Sequence, residues 1–255
     1  MKRVRVIPVL QLSKNKLVKT KCFKKPVYIG DPINTLRIFN EKQVDEIILL
    51  DIDASKNNQE PNYSLISQIA GECFMPVAYG GGITSVQQAK RIINSGIEKI
   101  SINNSIFSNP ELIKQLADEI GSQSLIASID VKKTILGKYK VYCHVKGIQN
   151  IDPVEFAQRL EFLGVGEILL TAVDREGTFE GYDIRLVNSI ATSINIPLIT
   201  NGGASCIKDF YDVYVNGKAS AVAAGSMFVF KSSINGILIN YPEQNLLKNE
   251  LYCKI

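Results

Sequence analysis

The chain of 255 residues contains no tryptophan and a single histidine, His144. One imidazole leaves almost no room for a Ser-His-Asp triad or a histidine-based metal site, so proton transfer must fall to carboxylates, lysines or tyrosines. The five cysteines lie far apart, are odd in number and never have CxxC spacing. This pattern is typical of free thiols in a reducing compartment and argues against a disulfide framework or a zinc site.

Long apolar runs and a strong net charge are also missing. No run reaches the roughly 18 apolar residues that a membrane span needs, and residues 1–6 lead directly into an apparent strand without room for a signal peptide. The net charge of +4 is small and spread along the sequence, unlike that of a nucleic-acid-binding protein. We therefore expect a cytoplasmic protein without membrane or nucleic-acid partners, and no cluster implies a metal or an organic cofactor.

One short stretch carries a chemical signal. Residues 124–129 are a mostly apolar run, as in a parallel strand that is buried on both faces. Asp130 follows where the chain leaves the sheet, and the chemistry of α/β folds gathers at the carboxyl ends of their strands. Asp130 is therefore either a catalytic carboxylate or a structural residue that caps a loop, and this stretch alone favours neither.

Strand-like and helix-like segments alternate through the whole chain. Strands are expected at residues 4–10, 46–50, 76–79, 98–102, 124–129, 167–172, 197–200 and 219–224, and helices at 32–40, 63–69, 85–94, 110–120, 153–163, 183–193 and 207–215. Eight such units predict a single (β/α)8 TIM barrel over residues 1–255. Residues 138–145 predict an inserted hairpin arm, and the tail from residue 232 is expected to hold a short helix at 244–251.

The predicted half-barrels, about residues 1–121 and 122–255, resemble each other and suggest an internal duplication. Each half has a glycine pair after one strand and small residues after the next: Gly81-Gly82 with Asn103-Asn104, and Gly202-Gly203 with Ala224-Gly225-Ser226. Glycine lets backbone N–H groups approach an anion closely, and a following helix N-terminus adds a favourable dipole. Either pair alone is more typical of a tight turn, but the symmetrical placement favours two phosphate sites and a substrate with a phosphate at each end.

These residues resemble the cyclase subunit of imidazole glycerol phosphate synthase over nearly the whole chain. The most specific part is residues 167–183, which includes Thr171 and the run Asp174-Arg175-Glu176-Gly177-Thr178. The resemblance implies a barrel whose N-terminal face docks on a glutaminase subunit, which releases ammonia from glutamine. Ammonia then passes along the barrel axis to a bis-phosphorylated substrate, which the family cleaves and closes into an imidazole ring.

The resemblance also implies roles for individual side chains. The residues expected to gate the ammonia channel at the barrel floor are Arg5, Glu46, Lys99 and Glu167. Four inward charges of alternating sign at one level can neutralise each other as ion pairs. Lys19 matches a mobile active-site loop after strand one. The residues expected to bind substrate or phosphate are Lys19, Gly81, Gly82, Asn103, Asn104, Thr171, Glu176, Gly177, Gly202, Gly203, Ala224, Gly225 and Ser226.

The sequence departs from the family at a catalytic position. The family uses two aspartates, at the ends of strands one and five; Asp130 is present, but its partner position is Gln11. Paired carboxylates divide acid and base roles, whereas an amide only fills the space and hydrogen-bonds. Losing one such carboxylate removes ~10²–10⁴-fold of acid–base catalysis. Smaller departures are Glu176 in place of aspartate and one extra residue near Gly225.

The chain is therefore similar to a branch of the family found with a glutaminase and an amidotransferase-like protein in surface-polysaccharide gene clusters, such as those for lipopolysaccharide O-antigen. There, ammonia amidinates a sugar, so a sugar amidotransferase is a further expected partner. Three alternatives stay open. They are a histidine-pathway cyclase that tolerates Gln11, a non-catalytic conduit that activates the glutaminase, and a related sugar-phosphate isomerase, against which Gln11 also counts.

Overall fold

The apolar runs of the sequence form parallel strands in the computed structural model, which describes residues 3–231 and 236–255. The strands are β1 (Arg5–Ser13), β2 (Lys16–Lys21), β3 (Lys24–Gly30), β4 (Ile47–Asp51), β5 (Val77–Gly80), β6 (Lys99–Ile102), β7 (Leu125–Lys133), β8 (Tyr139–Cys143), β9 (Gly147–Ile148), β10 (Glu167–Ala172), β11 (Leu198–Asn201), β12 (Ala221–Ala224), β13 (Phe230–Lys231) and β14 (Gly236–Ile237). Residues 1 and 2, before the first predicted strand, and residue 232, the predicted start of the tail, lie outside the described residues.

Eight of these strands close into a parallel barrel. Their order around the barrel is β1, β4, β5, β6, β7, β10, β11 and β12, and β12 pairs back onto β1. The closing register sets Arg5 beside Ala221, and β7 pairs with β10 across the midpoint of the chain. The predicted (β/α)8 TIM barrel is confirmed, whereas the half-barrel duplication stays a prediction.

Helices lie between consecutive barrel strands and cover the outside. They are α1 (Pro32–Glu41), α2 (Tyr63–Glu72), α3 (Val86–Ile93), α4 (Asn104–Ser108), α5 (Glu111–Ile120), α6 (Pro153–Phe162), α7 (Ile184–Ala191), α8 (Ile207–Gly217), α9 (Ser226–Val229) and α10 (Gln244–Glu250). Side-chain caps fix several starts. For example, Asp31 accepts a hydrogen bond from the backbone N–H of Asn34 at 2.9 Å and so caps the start of α1. The next residue, Pro32, has no backbone N–H, but none is needed in the first turn of a helix. None of the described helices has both the length and the apolarity to span a membrane.

The barrel strands are apolar on both faces because both faces are buried. One face packs against the helices, as Leu10 and Leu12 of β1 do within a large outer core. The other face fills the barrel interior with a separate, smaller cluster: Ile7, Val9, Ile48, Ala78, Ile126, Leu169, Ile199, Ala221 and Ala223. This interior layer separates the two ends of the barrel axis.

Two antiparallel extensions rise from the C-terminal end of the barrel. The first arm, residues 12–30, consists of the end of β1 with β2 and β3. The second arm, residues 131–149, consists of the end of β7 with β8 and β9. The second arm confirms the predicted hairpin. The first corrects a prediction, because Lys19 lies within strand β2 and not in an irregular loop.

Candidate active site

Alternation along the barrel strands brings polar side chains to both ends of the axis. Successive side chains of a strand point to opposite faces, so Arg5 and Gln11 of β1 share the inward face with Ile7 and Val9 between them. Along the axis, therefore, a charged level at the N-terminal end is followed by the apolar interior layer and then by a polar level at the C-terminal end.

The four predicted gate residues form one closed cycle of ion pairs at the N-terminal level. Arg5 Nη1 lies 2.5 Å from Glu46 Oε2, and Arg5 Nη2 pairs with Glu167 Oε1. Lys99 Nζ lies 3.1 Å from Glu46 Oε1 and 2.9 Å from Glu167 Oε2. Burial lowers the pKa of Arg5, but Glu167 and Glu46 outweigh that effect and raise it. Each charge thus contacts two charges of opposite sign, which offsets the desolvation of the buried carboxylates.

The layer above this charged ring is built from small and aliphatic side chains. Three of its members, Ala78, Ala221 and Ala223, are alanines, and no charged residue belongs to this cluster. Moving a charge into such surroundings without a partner is unfavourable by far more than moving a neutral polar molecule. An unpaired charged species is therefore disfavoured in this layer relative to a neutral polar one.

A cavity of about 150 Å³ lies at the C-terminal level and holds the first catalytic candidate. Asp130 lines this cavity yet is buried, and its Oδ2 accepts a hydrogen bond from Asn103 Nδ2 at 3.0 Å. Burial raises the pKa of Asp130 to about 7, although hydrogen bonds from Asn103 and Thr171 oppose the shift. A carboxyl group with this pKa can exchange a proton near neutral pH.

Gln11 lines the same cavity as Asp130 and is held by the first arm. Its Oε1 accepts hydrogen bonds from the backbone N–H of Thr20 at 3.0 Å and from Thr20 Oγ1 at 3.1 Å. The amide oxygen is thus engaged by neutral donors, and the side chain offers no titratable group at the position where the resemblance expects a carboxylate. Asp130 faces the cavity without a second carboxylate from β1.

The first glycine pair borders this open cavity. Gly81 and Gly82 have φ angles of +128° and +71°, which residues with a side chain rarely adopt. The N–H of Gly82 lies 3.4 Å from Ser55 Oγ, and Asn104 begins the short helix α4 at the cavity wall. Backbone N–H groups, hydroxyls and a helix start therefore surround a space that is large enough for a phosphate group.

The second glycine pair borders a space that is nearly filled. Gly202 and Gly203, together with Gly177, Ala224, Gly225 and Ser226, surround only about 10 Å³, which is about enough for one water molecule. Lys19 occupies the rest: it is buried and forms an ion pair with Glu176. A Cβ atom on residue 225 would lie 2.8 Å from Lys19 Cε, so glycine is what lets the lysine enter.

The Lys19–Glu176 pair is part of a larger set of contacts from the first arm. Glu176 Oε2 also lies 3.2 Å from Thr20 Oγ1 and accepts from the N–H of Phe23 at 3.3 Å. Burial lowers the pKa of Lys19 to about 7, although the neighbouring Cys22 opposes the shift. The arm is therefore fastened over the second glycine pair, and the two predicted phosphate sites differ in accessibility.

Thr20 and Asn201 are among the residues of this site that sequence reasoning missed. Asn201 Nδ2 donates to Thr171 Oγ1 at 3.2 Å and borders both spaces. It lies two positions after the inward-facing Ile199, so strand alternation could have found it. Thr20 gives no such signal, because its role depends on how the first arm folds. Across residues 3–231 and 236–255, no three His, Cys, Asp or Glu side chains group as metal ligands, and the expected absence of a metal or cofactor stays a prediction.

Comparison with known proteins gives one consistent result. The model of the family described as histidine biosynthesis protein matches residues 5–234. A Pseudomonas aeruginosa protein named imidazole glycerol phosphate synthase subunit hisF2 is 51% identical over 249 residues, which cover 97% of this chain and 99% of that one. The Vibrio vulnificus protein named hisF3 is 44% identical over 98% of this chain and 97% of its own length. The Alkaliphilus metalliredigens protein named subunit HisF, without a number, is 39% identical over 88% and 89%.

Proposed function

The chain belongs to the histidine biosynthesis protein family, within which its relatives carry the name of the HisF subunit of imidazole glycerol phosphate synthase. From this premise we propose that it is the barrel subunit of a glutamine amidotransferase complex in which the barrel's own ring-closing chemistry is lost. It receives ammonia from a glutaminase at its N-terminal face and releases it for the amidination of a sugar in surface-polysaccharide biosynthesis.

The observation that carries this proposal is the pairing of Gln11 with Thr20 opposite Asp130. Ring closure in the family is expected to need two carboxylates on these two strands, and here one of them is an amide bound to neutral donors. Asp130 with a pKa of about 7 retains an acid–base group on β7, but the amide of Gln11 cannot supply the complementary role from β1.

The filled second glycine site supports the same conclusion. A bis-phosphorylated substrate needs room for a phosphate at each end, but the space beside Gly202 and Gly203 holds about 10 Å³. The Lys19–Glu176 ion pair would have to separate before a phosphate could enter. One phosphorylated end still fits the open cavity beside Gly81 and Gly82.

The N-terminal end supports ammonia transfer. The cycle of Arg5, Glu46, Lys99 and Glu167 stands across the axis, and the apolar layer follows it. The side chains of the ring close the axis, and the apolar layer adds a desolvation barrier to any charged species. Neutral ammonia from a glutaminase docked on this face would pass once the ring opens, and would reach the cavity that holds Asp130.

The names of two relatives support a diverged copy. The Pseudomonas aeruginosa and Vibrio vulnificus proteins, at 51% and 44% identity, carry the numbered names hisF2 and hisF3. The Leptospira borgpetersenii protein at 44% and the Alkaliphilus and Lactococcus proteins at 39% and 38% carry the unnumbered name HisF. A second or third copy of a subunit, as these numbers suggest, suits a task other than histidine biosynthesis. The plain HisF names and the retained Asp130 favour a second candidate, a histidine-pathway cyclase that works with Gln11.

Genetic complementation separates these two functions. The chain, expressed with its glutaminase in a strain that lacks its own cyclase, should fail to support growth without histidine. Deletion of the gene in its source organism should leave growth without histidine intact and remove the amidino group from the surface polysaccharide, as measured by mass spectrometry of the released glycan. Robust growth of the complemented strain would contradict the proposal and establish the second candidate.

A further inference from the structure

The positive charge of the chain gathers on the two arms at the C-terminal end of the barrel. The lysines of residues 12–30 and 131–149 are Lys14, Lys16, Lys19, Lys21, Lys24, Lys25, Lys132, Lys133, Lys138, Lys140 and Lys146. These two segments contain no Asp or Glu, so the rest of a chain with net charge +4 is negative. The charge that looked scattered along the sequence is concentrated by the fold.

The two arms form one continuous surface, which we call the lysine rim (residues 12–30 and 131–149). The ring of Phe23, at the turn of the first arm, lies 6.2 Å from that of Tyr142 and 6.3 Å from that of His144 in the second arm. Phe23 and His144 also line the open cavity. The rim therefore borders the opening through which the cavity communicates with the outside.

Most of this charge is not neutralised within the fold. Among the described residues, Lys19 pairs with Glu176 and Lys133 pairs with Asp183, and the other rim lysines form no ion pair. The neighbouring Asp174 is already engaged, because it accepts a hydrogen bond from the N–H of Lys133 at 2.7 Å. The rim is thus a basic surface without an internal partner.

The rim also exposes apolar side chains. Of the eleven large hydrophobic side chains that are exposed in the described residues, six lie on the two arms. Ile135 and Leu136 are almost fully exposed at the tip of the second arm, and Val27 and Tyr28 are about half exposed on the first. Exposed aliphatic and aromatic residues within a charged border are typical of a protein interaction surface.

We propose that the lysine rim is the docking surface for an acidic face of the amidotransferase that consumes the ammonia. This inference rests on the proposed function, in which ammonia leaves the barrel at this end. An acceptor seated on the rim would cover the cavity opening, so ammonia would enter its active site without escaping into solvent. Charge complementarity selects an acidic partner and speeds its association, and the exposed aliphatic residues form the apolar centre of the interface.

A protein fits this surface better than a nucleic acid or a membrane. Ile135, Leu136 and Val27 interrupt the lysines with aliphatic surface, which a phosphate backbone does not match. A lipid surface would match both charge and apolarity, but it would cover the cavity opening with a layer that has no group to react with ammonia. The acceptor must bring a reactive centre to the opening, and only a protein does so.

The test uses the complete complex of barrel and glutaminase with the purified sugar amidotransferase of the same organism. Rim variants are Lys24→Glu/Lys25→Glu and Ile135→Ser/Leu136→Ser. The matched control is Lys90→Glu/Lys114→Glu, which makes the same charge change on the outer helices α3 and α5. Two quantities are measured: the Kd of the amidotransferase for the complex, and amidinated sugar formed from glutamine or from added ammonium chloride.

We expect both rim variants to raise the Kd at least tenfold and to lose glutamine-driven amidination. Ammonium-driven amidination and glutaminase activity should stay unchanged, and the control should behave as the unmodified complex does. Rising salt should weaken binding of the unmodified complex more than that of the Lys24→Glu/Lys25→Glu variant.

Each other outcome contradicts a defined part of the account. If the unmodified complex transfers ammonia and the rim variants transfer it equally well, the rim proposal is wrong while the proposed function stands. If the unmodified complex transfers none to the amidotransferase, both are wrong. If the rim variants lose binding only to vesicles of phosphatidylglycerol and phosphatidylcholine, the rim is a membrane surface.

Discussion

The two ends of the barrel axis use similar residue types with different results. At the N-terminal end, Arg5, Lys99 and two glutamates form a cycle in which every charge contacts two opposite charges. At the C-terminal end, Asp130 has no carboxylate partner from β1, and Lys19, which enters the space beside the second glycine pair, is paired with Glu176. On the proposed function, the end that would admit ammonia has every charge paired, whereas the end that would use it has an amide in place of the expected carboxylate.

This difference indicates which task the fold keeps. A ring of charges at the entrance is useful for any reaction that needs ammonia. Its residues have to suit the nitrogen donor and not the molecule that accepts the nitrogen. The residues at the exit depend on the acceptor, and they have changed at Gln11 and around Gly225. The following four predictions test the contrast between the two ends.

The largest effect is expected from breaking the N-terminal ring. Glu167→Ala leaves Arg5 and Lys99 with a single carboxylate between them, and removing one partner of a buried ion pair destabilises a protein by up to about 5 kcal/mol. The midpoint of urea unfolding should fall accordingly. Glu72→Ala, which removes the exposed partner of Arg37, is the control and should leave the midpoint nearly unchanged. Equal effects of the two changes would mean that the ring is ordinary surface charge.

At the C-terminal end, Asp130 should make stability depend on pH. Because burial raises its pKa to about 7, the folded state holds a proton on this group that the unfolded chain releases near pH 4. The free energy of unfolding should therefore fall as pH rises from 4 to 7, by on the order of 4 kcal/mol. Asp130→Asn should remove this part of the dependence, and Asp118→Asn, on the exposed face of α5, should not. A profile of Asp130→Asn that matches the unmodified protein would contradict the buried carboxyl.

A third, smaller effect is expected at the filled glycine site. Lys19→Met leaves the buried Glu176 without its cation and should lower the free energy of unfolding by roughly 3 kcal/mol. The double variant Lys19→Met/Glu176→Gln removes both charges at similar volume and should recover most of that loss, whereas Lys21→Met, an exposed neighbour, should have little effect. Chemical denaturation of these variants and of the single variant Glu176→Gln measures the coupling. Additive losses in the double variant would mean that the two side chains do not interact.

The smallest effect concerns the contact that holds Gln11. Thr20→Val removes a hydroxyl 3.1 Å from Gln11 Oε1 and 3.2 Å from Glu176 Oε2, while the backbone N–H of residue 20 still reaches Gln11. The expected loss is about 1 kcal/mol of unfolding free energy. Thr20→Ser keeps the hydroxyl and should stay closer to the unmodified protein. If both variants lose the same amount, packing of the methyl group and not hydrogen bonding fastens this part of the arm.

Most of the barrel was predictable because the period of its strands is visible in the sequence. Apolar runs bounded by glycine and proline marked all eight barrel strands, although β1 and β7 extend three and four residues beyond their predicted ends into the arms. The same alternation set Arg5 and Gln11 on one face. The four charges of the ring were identified through the family resemblance, and the structure brings them together.

The first arm could not be predicted, and with it the closure of the second glycine site. Its turns place Lys14, Asn15, Cys22 and Phe23 at positive φ, where hairpins usually have glycine or asparagine. Only Asn15 is of that type, so the lysine-rich segment resembles a loop in the sequence. The ion pair of Lys19 with Glu176 joins residues 157 positions apart, and no local pattern specifies such a contact.

The central claim is that this barrel admits ammonia but does not close the imidazole ring. It is tested most directly by turnover of the bis-phosphorylated cyclase substrate with ammonia supplied in solution, which removes any need for the glutaminase. We predict no turnover by the unmodified protein and a measurable gain in the Gln11→Asp variant, because the second carboxylate is restored on β1. Clear turnover by the unmodified protein, unchanged or reduced in Gln11→Asp, would contradict the account and identify a working cyclase.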